Sequence, residues 1–178
     1  MEPDISIVIP AYNEEKYIRQ TLHSIQNQTF QNYEVIVVAN GCTDGTEEIL
    51  KKRVNERIRY LSLPKANVSV ARNAGALNAK GNLLVFLDAD TQLATDSLQT
   101  IKEHFTDQYA VATTKVLPDS DQWRYKLAMK LKNGYNSTHL YQGCSGALIC
   151  RKDAFQKVNG YPPDIVVREH RKLILELK

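Results

Sequence analysis

The apolar run Asn82-Leu83-Leu84-Val85-Phe86-Leu87 passes directly into Asp88-Ala89-Asp90. Two carboxylates at the end of a hydrophobic strand are costly to keep unless something at that place uses the charge. Alternate residues of an extended segment point the same way, so both carboxylates can face one side at the carboxyl end of the strand. That edge is where open α/β sheets bind ligands. Two hard oxygen donors beside a diphosphate suit Mg²⁺ or Mn²⁺, which neutralises phosphate oxygens and stabilises a departing nucleoside diphosphate. Solvation of a loop and capping of the next turn is the plainer alternative.

Three further groups of residues could carry chemistry. Asn40-Gly41-Cys42-Thr43-Asp44-Gly45-Thr46 has turn-forming residues, and Thr43 or Asp44 can satisfy the free amides of a following helix. It lacks the spacing of GxGxxG and the lysine of a Walker loop, so a βα turn is the better reading of its spacing. Arg72 and Asn73 stand among small residues in Val70-Ala71-Arg72-Asn73-Ala74-Gly75. A guanidinium there is poorly placed for solvent display and matches phosphate geometry, although a surface arginine fits the pattern equally well. Lys65 is a weaker candidate of the same kind. Glu169-His170 pairs a carboxylate with an imidazole that can take a proton near neutral pH, but Arg168, Arg171, Lys172 and Glu176 around it also fit a solvated helix face. Cys144, in Gly143-Cys144-Ser145-Gly146, has no sequence-local base and makes a poor nucleophile. Trp123, Tyr125, Tyr135 and Tyr141 offer stacking surfaces for a sugar, or plain anchors.

These groups need a scaffold, and the hydrophobic pattern supplies one. Strands are expected at Ile5–Ile9, Glu34–Ala39, Ile58–Leu63, Asn82–Leu87 and Tyr109–Val116. Between them, helical spacing appears at Ile18, Leu22 and Ile25, from Thr46, over Val68–Ala79, and at Leu98, Ile101 and Phe105. Asn13 is expected to cap the first helix, with Glu14 and Glu15 at its positive end. Successive βα units imply a mostly parallel sheet covered on both faces. The rhythm breaks after Leu117. A helix is expected within Trp123–Leu131, loop chemistry at Asn133-Gly134-Tyr135-Asn136, a strand at Gly146–Cys150, a short helix at Lys152–Val158, and a charged helix over Val166–Leu177. The organisation is therefore an α/β half over 1–116 and a second half of the same domain over 117–178.

The 178 residues, 43% of them hydrophobic, suffice for one domain with a real core and exclude disorder. A formal charge of +3 from scattered basic residues is too small to announce a nucleic-acid surface, and no nucleic-acid partner is expected. The three cysteines lie outside any CxxC or Cys/His ligand spacing, so reduced thiols in a cytoplasmic setting are expected. Neither a signal peptide nor a bilayer-length apolar run is visible. The end at Leu175-Glu176-Leu177-Lys178, without a capping glycine, is what a segment of a longer chain would show.

Taken together, Ile7-Val8-Ile9-Pro10-Ala11-Tyr12-Asn13-Glu14-Glu15, the stretch Val35–Thr46, Ala71-Arg72-Asn73-Ala74-Gly75, Leu87-Asp88-Ala89-Asp90, Gly146–Tyr161 and Glu169-His170 resemble a family 2 glycosyltransferase over nearly the whole chain. The resemblance implies a GT-A fold, Rossmann-like with a mostly parallel sheet flanked by helices, and an inverting transfer from a nucleoside-diphosphate sugar, of UDP or GDP type, to an acceptor hydroxyl. It implies Asp88 and Asp90 as metal ligands for Mn²⁺ or Mg²⁺, with Asp88 also at the donor. Pro10, Ala11, Tyr12, Glu14, Asn40 and Asp44 are the expected lining of the nucleotide, and Arg72 is expected near the donor phosphates. A saccharide, lipid-linked or small-molecule acceptor is compatible with it, as is peripheral contact with the cytoplasmic face of a membrane; the oligomeric state is left open. A sugar nucleotidyltransferase would instead carry a glycine-rich basic loop after the first strand, and a decayed donor-binding domain is the non-catalytic alternative.

Two departures from the family pattern stand out. Relatives commonly carry two acids where this chain has Ala39 and Asn40, which bears on recognition of uridine. They also commonly show Gly-Gly-Phe-Asp-Glu and an acidic Glu-Asp pair, where this chain has Asn159-Gly160-Tyr161-Pro162-Pro163 and Glu169-His170. The expected catalytic pair is thus His170 and Glu169: His170 is favoured as base because an ordinary imidazole is mostly neutral at cytosolic pH, the alternatives being that Glu169 takes the proton while His170 positions it, or that transfer is weak.

Overall fold

Ile5–Ala11 (β1) and Tyr33–Asn40 (β2) are buried at every position, which is what central strands covered on both faces require. The structure, a computed structural model, describes residues 2–118, 122–136, 144, 146–165 and 169–177. Between and after these two strands come α1 (Ile18–Gln26), α2 (Thr46–Lys51), β3 (Ile58–Leu63), α3 (Val68–Asn78), β4 (Leu83–Phe86), α4 (Ser97–His104) and β5 (Val111–Thr113). The remaining elements are α5 (Trp123–Asn136), β6 (Leu148–Arg151), α6 (Lys152–Lys157) and α7 (Glu169–Leu177).

The sheet order is β3-β2-β1-β4-β6-β5. The first four strands pair in parallel, whereas β6 runs antiparallel to both β4 and β5. The period-two alternation sorts the strand residues between two cores. Ile5, Ile7, Ile9, Val35 and Val37 face α1, α2 and α4 through Ile18, Leu22, Ile49 and Leu98. Val8, Ile36, Val38, Leu84 and Phe86 face α3, α6 and α7 through Ala71, Phe155 and Leu173. Because β6 lies between β4 and β5, the two sequence halves share one sheet, and residue 116 marks no break in it.

Several local expectations are corrected. Asn13 does not cap α1: Tyr17 holds the N-cap position, and Asn13 adopts a left-handed φ of 56° with its side chain turned to Thr43. The strand expected over Tyr109–Val116 is reduced to the three residues of β5 at the sheet edge. Asn133-Gly134-Tyr135-Asn136 is not a loop but the last turn of α5. There the Asn133 amide bonds both backbone groups of Val116, so its polar side chain ties the helix to the body instead of ending it. In the charged terminal helix, residues 166–168 lie outside the described residues.

Gly75 sets how closely α3 can approach the sheet. A Cβ at this position would stand 2.3 Å from Val8 Cγ1 and 3.4 Å from Val38 Cγ2. Both are buried β-branched side chains with little freedom to move. Gly75→Ala is therefore expected to lower stability by about 1–3 kcal/mol through overpacking, despite the better helix propensity of alanine. A urea midpoint unchanged from the parent would refute this.

Candidate functional site

Sheet order reverses at β1, with β2 and β3 on one side and β4 and β6 on the other, so a crevice opens beyond the carboxyl ends of β1 and β4. The loop after β1 forms one wall. Pro10 and Ala11 are buried, whereas the Tyr12 ring is 51% exposed. This loop is stitched to the one after β2. The Thr43 amide donates to Asn13 Oδ1 at 2.8 Å, the Gly45 amide to Glu15 Oε2 at 2.8 Å, and the Glu14 amide to Thr46 Oγ1 at 2.8 Å. Asp44 accepts from the Thr46 amide and hydroxyl and from the Glu15 amide. Burial raises its proton affinity, but these bonds, led by the Thr46 hydroxyl, outweigh that and hold the carboxyl below its ordinary range. Asn40 is buried, and its Oδ1 accepts from the Asn67 amide at 2.7 Å. Its side-chain oxygen thus fixes the start of α3.

Asp88 and Asp90 are exposed on either side of buried Ala89, but not in the extended segment expected: β4 ends at Phe86, and the acids lie in a turn that the Thr91 amide closes on the Asp88 carbonyl at 3.1 Å. The Thr21 hydroxyl donates to the Ala89 carbonyl at 2.7 Å and pins the segment from below. Glu14 completes an acidic cleft: desolvation, then repulsion from Asp90, Asp44 and Asp88, raises its pKa. A cavity of about 370 Å³ lies beside Asp90, bordered by Leu93, Thr114, Lys115 and Gly146.

Arg72 joins the two ends of the sequence. Its residue is 3% exposed, and its guanidinium donates to Asp88 Oδ1 at 2.9 Å and to Glu169 Oε1 at 2.5 Å. Burial would raise the Glu169 pKa, but the hydrogen bonds, including that from Arg72, and the Arg72 charge lower it on balance. Arg72 Nε is buried without a partner among the described residues. The guanidinium also lies 5.4 Å from the centre of the Tyr161 ring. Lys65, the weaker basic candidate, is exposed.

Tyr161 is fully buried, and its hydroxyl lies 2.8 Å from His170 Nδ1. Desolvation, then the positive charge of Arg72, outweighs the attraction of Glu169 and lowers the His170 pKa to about 4. The unfolded chain, with an ordinary imidazole near 6.5, binds this proton first, so His170 favours the fold fully above pH ~6.5 and less as pH falls toward 4. On the order of 2 kcal/mol of stability is expected to be lost across that window relative to His170→Gln. Urea titrations of both proteins at pH 7 and pH 5 measure it; parallel losses would remove His170 as the cause.

The sequence reading missed what holds Tyr161. Asn159 and Gly160 have φ of 59° and 68°, and the Asn73 side chain accepts from the Tyr161 amide and donates to its carbonyl. Two left-handed residues in succession are a legible turn signal, but the partner on α3 is not local. Burial pushes the Cys144 thiol up to about 11, which favours its protonated form. Trp123 and Tyr125 are exposed on α5, while Tyr141 and the Tyr135 side chain lie outside the described residues, as do Gly143 and Ser145.

Among the described residues, no three His, Cys, Asp or Glu side chains converge to cage an ion alone. The cleft does present an all-oxygen set, the Glu14, Asp88 and Asp90 carboxylates, of which Asp88 is paired with Arg72. Such a set fits a hard cation that keeps several waters and completes its shell with phosphate oxygens.

The chain is 36% identical over 112 residues to the glycosyltransferase GlyA of Streptococcus pneumoniae serotype 4, covering 62% of this chain and 16% of that protein. Its fold matches Staphylococcus aureus TarS residues 1–349, solved with UDP-GlcNAc, with a TM-score of 0.74 at 22% identity, over 99% of this chain and 53% of that one. It also matches the Pyrobaculum calidifontis mannosyltransferase PcManGT, solved with GDP-Man and Mn²⁺, with a TM-score of 0.74 at 21% identity, over 97% and 52% of the respective chains. The chain thus spans well under two thirds of the proteins it matches, and the shared architecture is the GT-A fold. Residues 6–158, most of the sequence, match the family described as Glycosyl transferase family 2, and the chain belongs to that family.

Proposed function

We propose that this domain transfers a sugar from a nucleoside-diphosphate sugar to an acceptor hydroxyl, with inversion at the anomeric carbon. The observation that carries the reading is the pair of exposed carboxylates, Asp88 and Asp90, at the carboxyl edge of β4, with Arg72 bonded to the first of them. Asp88 and Asp90 would hold a divalent cation, which when bound neutralises the charge of the leaving diphosphate. Tyr12 and Glu14 would line the nucleoside side, Tyr12 offering its exposed ring to the base, with Pro10 and Ala11 buried behind them. Asn40 and Asp44 shape that wall through side-chain bonds to the neighbouring loops.

In the reaction, the acceptor oxygen forms a bond to the anomeric carbon while the bond from that carbon to the diphosphate oxygen breaks. The electron pair leaves with the nucleoside diphosphate, and the acceptor proton passes to the Glu169-His170 pair. Complexes of the fold neighbours with UDP-GlcNAc and with GDP-Man and Mn²⁺ support both donor types. A saccharide, lipid-linked or small acceptor would approach from the cavity side of Asp90, and the proposed setting is cytoplasmic. Among the described residues no helix is long and apolar enough to cross a membrane. A donor-binding domain without transfer is the second reading, favoured by the commitment of Glu169 to Arg72.

Calorimetric titration with UDP, GDP, UDP-GlcNAc and GDP-Man, with and without Mn²⁺, tests the proposal when paired with turnover of a labelled donor. Metal-enhanced binding of one nucleotide with turnover is expected. Binding without transfer or hydrolysis across the panel would support the second reading, and no binding at all would defeat both.

A further inference from the structure

We infer that Tyr161 is a positioning residue that holds His170 with its proton on Nε2, so that Glu169, not His170, receives the acceptor proton. The assignment of Glu169 rests on the transfer reading above; the state of His170 does not. The Tyr161 side chain is fully buried, and its hydroxyl faces His170 Nδ1 at 2.8 Å. A phenol has one proton to donate, and a buried donor left without an acceptor is costly. If Nδ1 carried the imidazole proton, it would donate to the hydroxyl oxygen and strand the phenol proton, for which the described residues offer no second acceptor. With the proton on Nε2, Nδ1 accepts from the phenol and both groups are satisfied. Neither imidazole nitrogen then keeps a lone pair for an acceptor hydroxyl.

Tyr161 cannot swing away from this role. The left-handed pair Asn159 and Gly160 turns the chain inward, and Asn73 clamps both backbone groups of Tyr161. Phe86 and Phe155 hold the ring with centroids 5.2 and 5.7 Å away. Tyr161 and His170, two of the positions at which this chain departs from the family pattern, are bonded to each other. Glu169 keeps carboxylate lone pairs beyond the one that binds Arg72, and remains the group able to accept a proton at this place. Transfer to it leaves a neutral carboxylic acid still facing the Arg72 cation, while Nε2–H of His170 remains a donor for an oxygen in the cleft.

Long-range ¹H–¹⁵N correlation spectra of the full chain labelled with ¹⁵N-histidine test the assignment, with His170→Gln used to identify the His170 signals. The expected pattern at pH 7 is a single tautomer protonated at Nε2, giving way to a mixture in Tyr161→Phe. A wild-type His170 protonated at Nδ1, or a tautomer unaltered in Tyr161→Phe, would overturn the positioning role. Should Tyr161→Phe fail to fold, the wild-type spectrum decides by itself. In transfer assays, Glu169→Gln is expected to lose ~10²–10³-fold in kcat with nucleotide affinity retained within about twofold, and retention of kcat would overturn its role. Absence of transfer by the wild-type chain with any donor would sink the glycosyltransferase reading and with it the Glu169 role, while the spectra still report on His170.

Discussion

Asp90→Asn is expected to lower sugar transfer by ~10²–10³-fold, the scale on which loss of one charge-stabilising group slows a reaction that builds negative charge. The Asp90 carboxylate is exposed and, among the described residues, accepts only from the neighbouring Thr91 hydroxyl, at 3.3 Å. Its removal should therefore leave the unfolding midpoint where it is. Asp88→Asn should cost at least as much transfer, and in addition removes the 2.9 Å contact with Arg72. Because the Asp88 side chain is 55% exposed, the stability lost with that contact should stay within about 1 kcal/mol. The discriminating measurement is nucleotide binding with and without Mn²⁺ in each variant. Loss of the Mn²⁺ enhancement with the fold intact supports the metal role, whereas unchanged metal-assisted binding in the double variant would reduce the functional assignment to a fold assignment.

Replacing Arg72 with methionine should have the largest effect on stability, about 3 kcal/mol. The guanidinium is 4% exposed and holds Glu169, whose side chain is 13% exposed, so the substitution strands a nearly buried carboxylate. Two consequences separate this from mere loss of packing. Glu169 should regain its proton at higher pH, so the variant should recover stability as pH falls through the Glu169 titration. Adding Glu169→Gln to Arg72→Met should restore part of the loss, because the stranded charge is then gone. A double variant no more stable than the single one, in urea titrations at pH 7, would show that the ion pair is not what Arg72 contributes. Arg72→Lys should restore little, since an ammonium on a shorter reach cannot face Asp88 and Glu169 with two donors at once.

Much of the α/β architecture was legible because the fold depends on patterns that are local. The β-branched runs Ile5–Ile9 and Glu34–Ala39 are near-continuously apolar because both faces of the central strands are covered, and each lies within the strand it announces. The small residues of Ala71-Arg72-Asn73-Ala74-Gly75 signalled a helix packed close to the sheet, and Gly75 meets Val8 there. The ends of elements were less legible. Asn13 has the side chain of an N-cap, yet a left-handed backbone and a bond to Thr43, 30 residues away, draw it elsewhere. Asn133 and Gly134 read as helix breakers, but the amide of Asn133 has a tertiary partner in Val116 that local propensity does not include.

The same division runs through the site. Asp88 and Asp90 stood out in the sequence because an apolar run that ends in two acids is costly, but their setting was not legible: the turn that the Thr91 amide closes on the Asp88 carbonyl replaces the extended segment that would have set a common side. Family membership, too, was legible in motifs that are each short and contiguous. What Arg72, Tyr161, Glu169 and His170 do to one another was not. Arg72 and Glu169 are 97 positions apart, and they meet because α3 packs on β1 and β2 while α7 closes over the same face of the sheet. An imidazole that looks like a base near neutral pH in the sequence is half-buried in the fold, where desolvation and the positive charge of Arg72 weaken its hold on a second proton and the phenol of Tyr161 faces its Nδ1. Residue type settles which protons a side chain can carry, but desolvation and charges brought near by folding settle which it does carry.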